Sequence, residues 1–112
     1  MGRLGNTIKR GSAELAIMAV LADAPLHGYE IARRIESESG GVLKFTLASL
    51  YPMLYRLEER GWIKGSWETA QSGRERRCYR LTPEGTRQLR PLRREWRLFF
   101  EGLDRLAGLS RA

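Results

Sequence analysis

A mostly helical fold with a small β-ribbon and one long terminal helix is what this sequence predicts, and three observations carry it. Leu50, Leu54 and Leu57 recur at helical spacing, with Ser49, Pro52 and Arg56 on a different face and Gly61 as a stop. Two extended runs follow, Trp62–Glu68 and Arg76–Thr82, separated by polar turn residues that include Gln71, Ser72 and Gly73. Beyond Pro83, the apolar residues Leu89, Leu92, Trp96, Phe99, Leu103 and Leu106 are spaced 3, 4, 3, 4 and 3 apart, a heptad seam. A helix feeding a two-stranded ribbon with an arginine-rich return arm is the layout of a winged helix-turn-helix. The seam adds a C-terminal dimerisation helix.

Each element has a local reason. Residues 1–11 hold three glycines and three basic residues, and read as a flexible basic arm. Ser12 can cap a first helix with Leu15, Met18, Leu21 and Ala22 on one face, ended by Ala24-Pro25. A second helix runs from Gly28 to Ser37 with Ile31 and Ile35 inward, and Gly40-Gly41 makes a turn. Thr46 can cap the third helix, which reaches Arg60. Pro52 either kinks that helix or marks an irregular start near Ala48. Thr82-Pro83 opens the last helix, a capping threonine before proline at the first helical position, and it continues to Ala107, roughly 39 Å at 1.5 Å per residue. Pro91 interrupts its seam and should bend it. The expected division is therefore an arm over 1–11, a winged helix-turn-helix over 12–82 and a dimerisation helix over 83–112.

Twenty Lys and Arg against 13 Asp and Glu give 112 residues a net charge of +7, which favours nucleic acid or an anionic surface as partner. The basic residues cluster: Arg3, Lys9 and Arg10 precede any acid, and Arg74, Arg76, Arg77 and Arg80 flank the ribbon turn. Apolar runs are short, so no membrane span is expected, and no signal peptide opens the chain. One cysteine, Cys78, allows no intrachain disulfide, and a cytosolic protein is the reading. Catalysis finds little support: there is one histidine, one cysteine and no phosphate-loop glycine pattern. His27 has no ligand partner at metal-binding spacing, so no metal or cofactor is expected, and Glu58 and Glu59 read as ordinary surface acids.

The segments PLHGYEI (25–31), SLYPMLYRLEERGWI (49–63), Trp67-Glu68 and RRCYRLTPEG (76–85), in this order and at these spacings, resemble the PadR family of bacterial transcriptional regulators. The resemblance covers about residues 12–86, and the short C-terminal part is similar to the smaller subfamily with a single terminal helix. It implies a homodimer that binds double-stranded DNA at an inverted-repeat operator, represses transcription and is released by a small aromatic effector. The chain departs from the family pattern at Ala48, where glycine is common, and at Pro91 in the last helix.

Candidate residues follow from these readings. Ala48, Ser49, Pro52, Tyr55 and Arg56 would face the major groove, and Tyr51 would donate to a phosphate. Arg56 could fork onto a guanine or hold a phosphate. Arg74, Arg76 and Arg77 in the wing could reach phosphates or a minor groove, and Lys9 and Arg10 could add backbone contacts. Tyr29 either reaches the DNA backbone or packs, and His27 could help cap the second helix. Leu89, Leu92, Trp96, Phe99, Leu103 and Leu106 would form the dimer seam. Trp96 is either a seam knob or, with Phe99 and Phe100, a stacking site for a flat aromatic ligand. Cys78 is either a half-buried strand residue or a redox-sensitive thiol. The rival reading of a different class is a winged-helix module whose basic surface meets an acidic protein.

Overall fold

The computed structural model describes the backbone from Gly5 to Arg111 and the side chains from Gly11 to Ser110. The element order is α1 (Gly5–Leu21), β1 (Leu26–His27), α2 (Gly28–Glu38), α3 (Leu47–Glu59), β2 (Ile63–Thr69), β3 (Glu75–Leu81) and α4 (Pro83–Ala107), then a 3-10 turn at Leu109–Arg111. The strands form one antiparallel sheet in the order β1-β3-β2. The expected two-stranded ribbon is thus three-stranded. β1 is two residues long and pairs Leu26 with Tyr79 and His27 with Cys78.

The core lies where α1, α2 and α3 meet the sheet. Leu50, Leu54 and Leu57 of α3 are fully enclosed by Ile17 and Met18 of α1 and Ile31 of α2. Ile63, Tyr79 and Leu89 close it from the sheet and the start of α4. In α1 the buried set is Ala13, Ile17, Met18, Val20 and Leu21, so the inward face is turned from the expected one and Ala22 is exposed.

The helix ends are chemically marked. Thr46 caps α3 by accepting from the Ser49 N–H at 3.1 Å. Gly61 ends it in the left-handed region, at φ 78°, and the Gly61 and Trp62 N–H groups donate to Glu58 and Leu57 carbonyls, a Schellman turn. α3 is helical from Leu47 straight through Pro52, so the irregular start near Ala48 is not adopted. Thr82 caps α4 by accepting from the Gly85 N–H, and its hydroxyl donates to the Gly61 carbonyl at 2.6 Å. Gly85 leaves room for that junction: a Cβ there would lie 1.9 Å from the Trp62 carbonyl oxygen.

One expectation needs correction. α1 begins at Gly5, not Ser12, so residues 5–11 are helix rather than flexible arm; residues 1–4 lie outside the described residues. Gly11 is a close-approach site, because a Cβ there would sit 3.1 Å from the Trp96 ring of α4. The helix-weakening cost of glycine, about 0.5–1 kcal/mol, is offset by that packing. α4 is helical over 25 residues, Pro91 included. Pro91 is exposed on this helix.

Candidate nucleic-acid interface

α3 presents opposite faces to core and solvent. Its leucines fix the inward face, which turns Ala48, Ser49, Tyr51, Pro52 and Tyr55 outward and leaves Arg56 half-buried beside them. The helix is therefore held from behind, as a helix inserted in a groove must be. Ser49 spends part of its hydroxyl on the helix start, donating to the Thr46 carbonyl at 3.0 Å.

The HGY segment builds the floor beside α3. Glu30 accepts from the His27 N–H at 2.9 Å and pairs with the His27 ring at 2.8 Å. These contacts, the backbone one first, hold the Glu30 carboxyl below the usual glutamate range. His27 thus sits at the α2 N-terminus as expected, though Glu30 supplies the accepting group. Gly28 gives way to Tyr51, whose ring lies 3.1 Å from where a Cβ would be. Tyr29 is exposed, with the Arg33 guanidinium 5.8 Å from its ring centre.

The wing is the β2–β3 hairpin with residues 70–74 at its tip. Arg74 and Arg76 are exposed. Among the described residues, no carboxylate pairs with Arg56, Arg74 or Arg76. Arg77 is placed otherwise than expected. Its guanidinium pairs with Glu58 at 2.8 Å and lies over the Trp67 and Tyr79 rings at 5.5 and 5.9 Å. It belongs to the joint between wing and α3 rather than to the free cations.

Glu58 completes that joint. Its Oε2 accepts from the Gly65 N–H at 3.0 Å as well as from Arg77. One carboxylate of α3 thereby holds both wing strands, and it raises the Arg77 pKa further. The reading of Glu58 as an ordinary surface acid is corrected. Gly65 is part of the same joint, because a Cβ there would meet Arg77 Nε at 2.5 Å.

Between α2, α3 and the wing lies an open cleft of about 970 Å³, lined by Tyr29, Arg33, Tyr51, Trp67, Arg74 and Arg76 among others. Phenols, an indole face and free guanidiniums along one concavity suit a phosphate backbone and its sugars. Arg33 and Trp67 were missed from sequence. The one available signal was Arg33 lying one helical turn beyond Tyr29. The side chains of Lys9 and Arg10 lie outside the described residues.

On α4 the proposed seam starts inside the core and leaves it. Leu89 is buried, Leu92 and Trp96 are half-buried, and Phe99, Leu103 and Leu106 are exposed. Trp96, Phe99 and Phe100 form a ring cluster with centroids 5.7–5.8 Å apart. The Cys78 thiol is raised above its ordinary range by burial first and by neighbouring Glu68 second, which argues against an activated thiolate. No helix of the described residues is long and apolar enough to cross a membrane.

A family model described as the transcriptional regulator PadR-like family matches residues 17–91. A solved transcriptional regulator from Clostridium thermocellum is similar over 91% of this chain and 99% of its own, with 26% identity and a TM-score of 0.81. Bacillus subtilis PadR, solved in complex with operator DNA, is similar over 70% of this chain and 44% of its own, with 27% identity and a TM-score of 0.64. An uncharacterised 37.1 kDa protein in transposon TN4556 of Streptomyces fradiae is 36% identical over 78 residues, 70% of this chain. The chain spans only 21% of that relative's length.

Proposed function

Since the chain belongs to the PadR-like family of transcriptional regulators and has their DNA-binding winged-helix fold, we propose that it is a homodimeric repressor released by a flat aromatic compound. One observation carries the DNA reading above all: Tyr51, on the outer face of α3, lines the same cleft as Arg74 and Arg76 of the wing. The helix would enter a major groove with Ser49, Pro52, Tyr55 and Arg56 toward base edges. Tyr29, Tyr51 and the wing arginines would hold backbone on either side. A regulator of this kind works in the cytoplasm, where it meets its DNA.

Dimerisation is supported by the exposed half of α4. The chain exposes 8005 Å², where a compact monomer of its mass exposes about 6,300 Å². Its radius of gyration is 15.4 Å, against about 13 Å for a compact domain of this length. Both excesses fit an apolar helix that a second copy covers. The two-fold particle would seat its α3 helices in half-sites about 34 Å apart, or a multiple, on an inverted repeat. Bound over a promoter, it would occupy DNA that the transcription machinery needs.

The effector reading rests on the Trp96, Phe99 and Phe100 cluster, which a two-fold axis would double. A planar ligand stacked between the two copies would gain about 0.5–1.5 kcal/mol per ring pair beyond burial. By favouring one angle between subunits, it would weaken operator binding by its differential affinity and no more.

The test starts with selection of duplexes from a random pool by the purified protein. An inverted repeat should emerge, bound with a steep salt dependence. No duplex affinity at low salt would leave the acidic-protein reading standing instead. Planar aromatic compounds are then titrated against tryptophan fluorescence in wild type and Trp96→Ala. Equal binding without Trp96, or binding that leaves operator affinity untouched, sinks the switch.

A further inference from the structure

Along the chain the single histidine and single cysteine lie far apart, and folding brings them to one face of the sheet. His27 of β1 is the register partner of Cys78 in β3. Ser66 of β2 faces Cys78 from the other side, and Glu68, two positions on, shares that face. A ring nitrogen of His27, a carboxylate oxygen of Glu68 and the Cys78 sulfur all lie within 4.8 Å of one another. His27 Nε2 is 3.1 Å from Glu68 Oε1, and its Nδ1 is 2.8 Å from Glu30 Oε1.

We propose that His27, Glu68 and Cys78 form a binding site for a thiophilic divalent cation, Zn²⁺ foremost, at the root of the wing. The donor set selects the class of ion. One imidazole, one carboxylate and one thiolate suit Zn²⁺ and its neighbours in the first transition row, whereas Mg²⁺ and Ca²⁺ want all-oxygen sets. Tetrahedral bonds of about 2.0–2.3 Å separate ligand atoms by roughly 3.3–3.8 Å, so the side chains need draw in by only about 1 Å. Three protein ligands leave the fourth position to water.

Glu30 supplies what such a site needs behind its histidine. Its carboxylate contacts Nδ1 at 2.8 Å and so fixes the ring with Nε2, now against Glu68 Oε1, turned into the cluster; with Nδ1–H donated to Glu30, Nε2 would be the ligand atom. The Glu30 carboxylate is itself fixed by the His27 N–H. The charges also balance. A dication with one thiolate and one ligating carboxylate is neutral, and the Glu30 charge behind His27 is met by nearby Arg76. Binding replaces the thiol proton, which leaves to solvent, and forms the metal–sulfur bond. Arg76, which shares the face of Cys78 on β3, is the competing cation. The ion would tie β1, and through it the start of α2, to both wing strands.

The test needs no DNA. Reduced full-length protein is titrated with Co²⁺ under anaerobic conditions, and Zn²⁺ is then used to displace it. A thiolate-to-cobalt charge-transfer absorption should rise to one equivalent and vanish on adding Zn²⁺. Zn²⁺ should also slow modification of Cys78, the chain's one thiol, by a disulfide reagent at least tenfold. Cys78→Ser should abolish the absorption, and Glu30→Gln should weaken affinity by about 10–100-fold while keeping it. If Cys78→Ser does not fold, the thiol-protection measurement on the wild type decides. No thiolate absorption at excess Co²⁺, or one that survives in both His27→Ala and Glu68→Gln, overturns the proposal.

Discussion

In α3 the leucines at 50, 54 and 57 are at most 1% exposed, while in the second half of α4 Phe99, Leu103 and Leu106 are 45, 40 and 88% exposed. The two stripes have the same helical spacing and similar side chains. They differ in what surrounds them. α3 lies against α1, α2 and β2, whereas α4 leaves the core after Leu92 and reaches out along a molecule 53 Å long. An apolar stripe enclosed by its own chain specifies the fold. One left bare is what the proposed dimer would cover. The outward faces differ in the same way: that of α3 carries groups suited to DNA, and that of α4 carries ordinary charge.

The comparison can be broken by substitutions on each face. Leu54→Ala removes enclosed atoms from α3 and should cost about 2–5 kcal/mol of stability. Thermal unfolding at several protein concentrations should show that loss unchanged by dilution. If the loss disappears at high concentration, the α3 stripe belongs to the assembly as well. Leu103→Glu should instead leave the fold intact and dissociate the proposed dimer, an effect of the order of 2–3 kcal/mol as a charge is buried or the interface opens. Sedimentation velocity across a dilution series reads it directly. A dimer as tight as wild type would place the interface elsewhere.

On the outer face of α3, Arg56→Ala should change neither stability nor sedimentation. It should cost about 1–3 kcal/mol on the selected operator and relax sequence choice at one position. Arg74→Ala with Arg76→Ala should weaken all duplexes alike and flatten the salt slope by roughly one unit per lost contact. Equal losses on operator and random duplex for Arg56→Ala would make it a phosphate contact too.

The smallest effect is on the outer face of α4. Asp104 accepts from the Ser110 hydroxyl and N–H, and those bonds, the hydroxyl one first, lower its pKa. A depressed folded-state pKa means the tie is complete above the ordinary aspartate value and fades as pH falls through the lower one. Amide signals of residues 109–110 should therefore move only in acid, below about pH 4. Movement at higher pH would mean that Asp104 does not hold this turn.

What could be read from sequence was what repeats locally. The α3 leucines, the Thr46 and Thr82 caps, the Gly61 stop and the α4 seam each announce themselves within one or two turns of helix. What escaped depends on partners far along the chain. β1 is two residues whose only strand character is its pairing with β3. Gly11 read as a breaker because Trp96, which needs the space, lies on another helix. Glu58 read as surface because its partners Gly65 and Arg77 arrive only when the wing folds back. His27 and Glu68 are 41 positions apart, beyond any local spacing rule. Arg77 looked identical to its neighbours, and strand alternation alone could not say which face the Trp67 and Tyr79 rings would occupy.

The Glu58 joint has a thermodynamic consequence. Because one carboxylate already fixes the wing against α3, the two elements proposed to grip DNA are oriented before it arrives. Their ordering entropy is lost during folding, not during association. Calorimetry of operator binding should then show the modest heat-capacity change of rigid docking rather than the large one of a hairpin that orders on contact. Opening that joint with Glu58→Gln would shift the ordering cost back onto the binding step, slowing productive docking while leaving every residue proposed to face DNA unsubstituted.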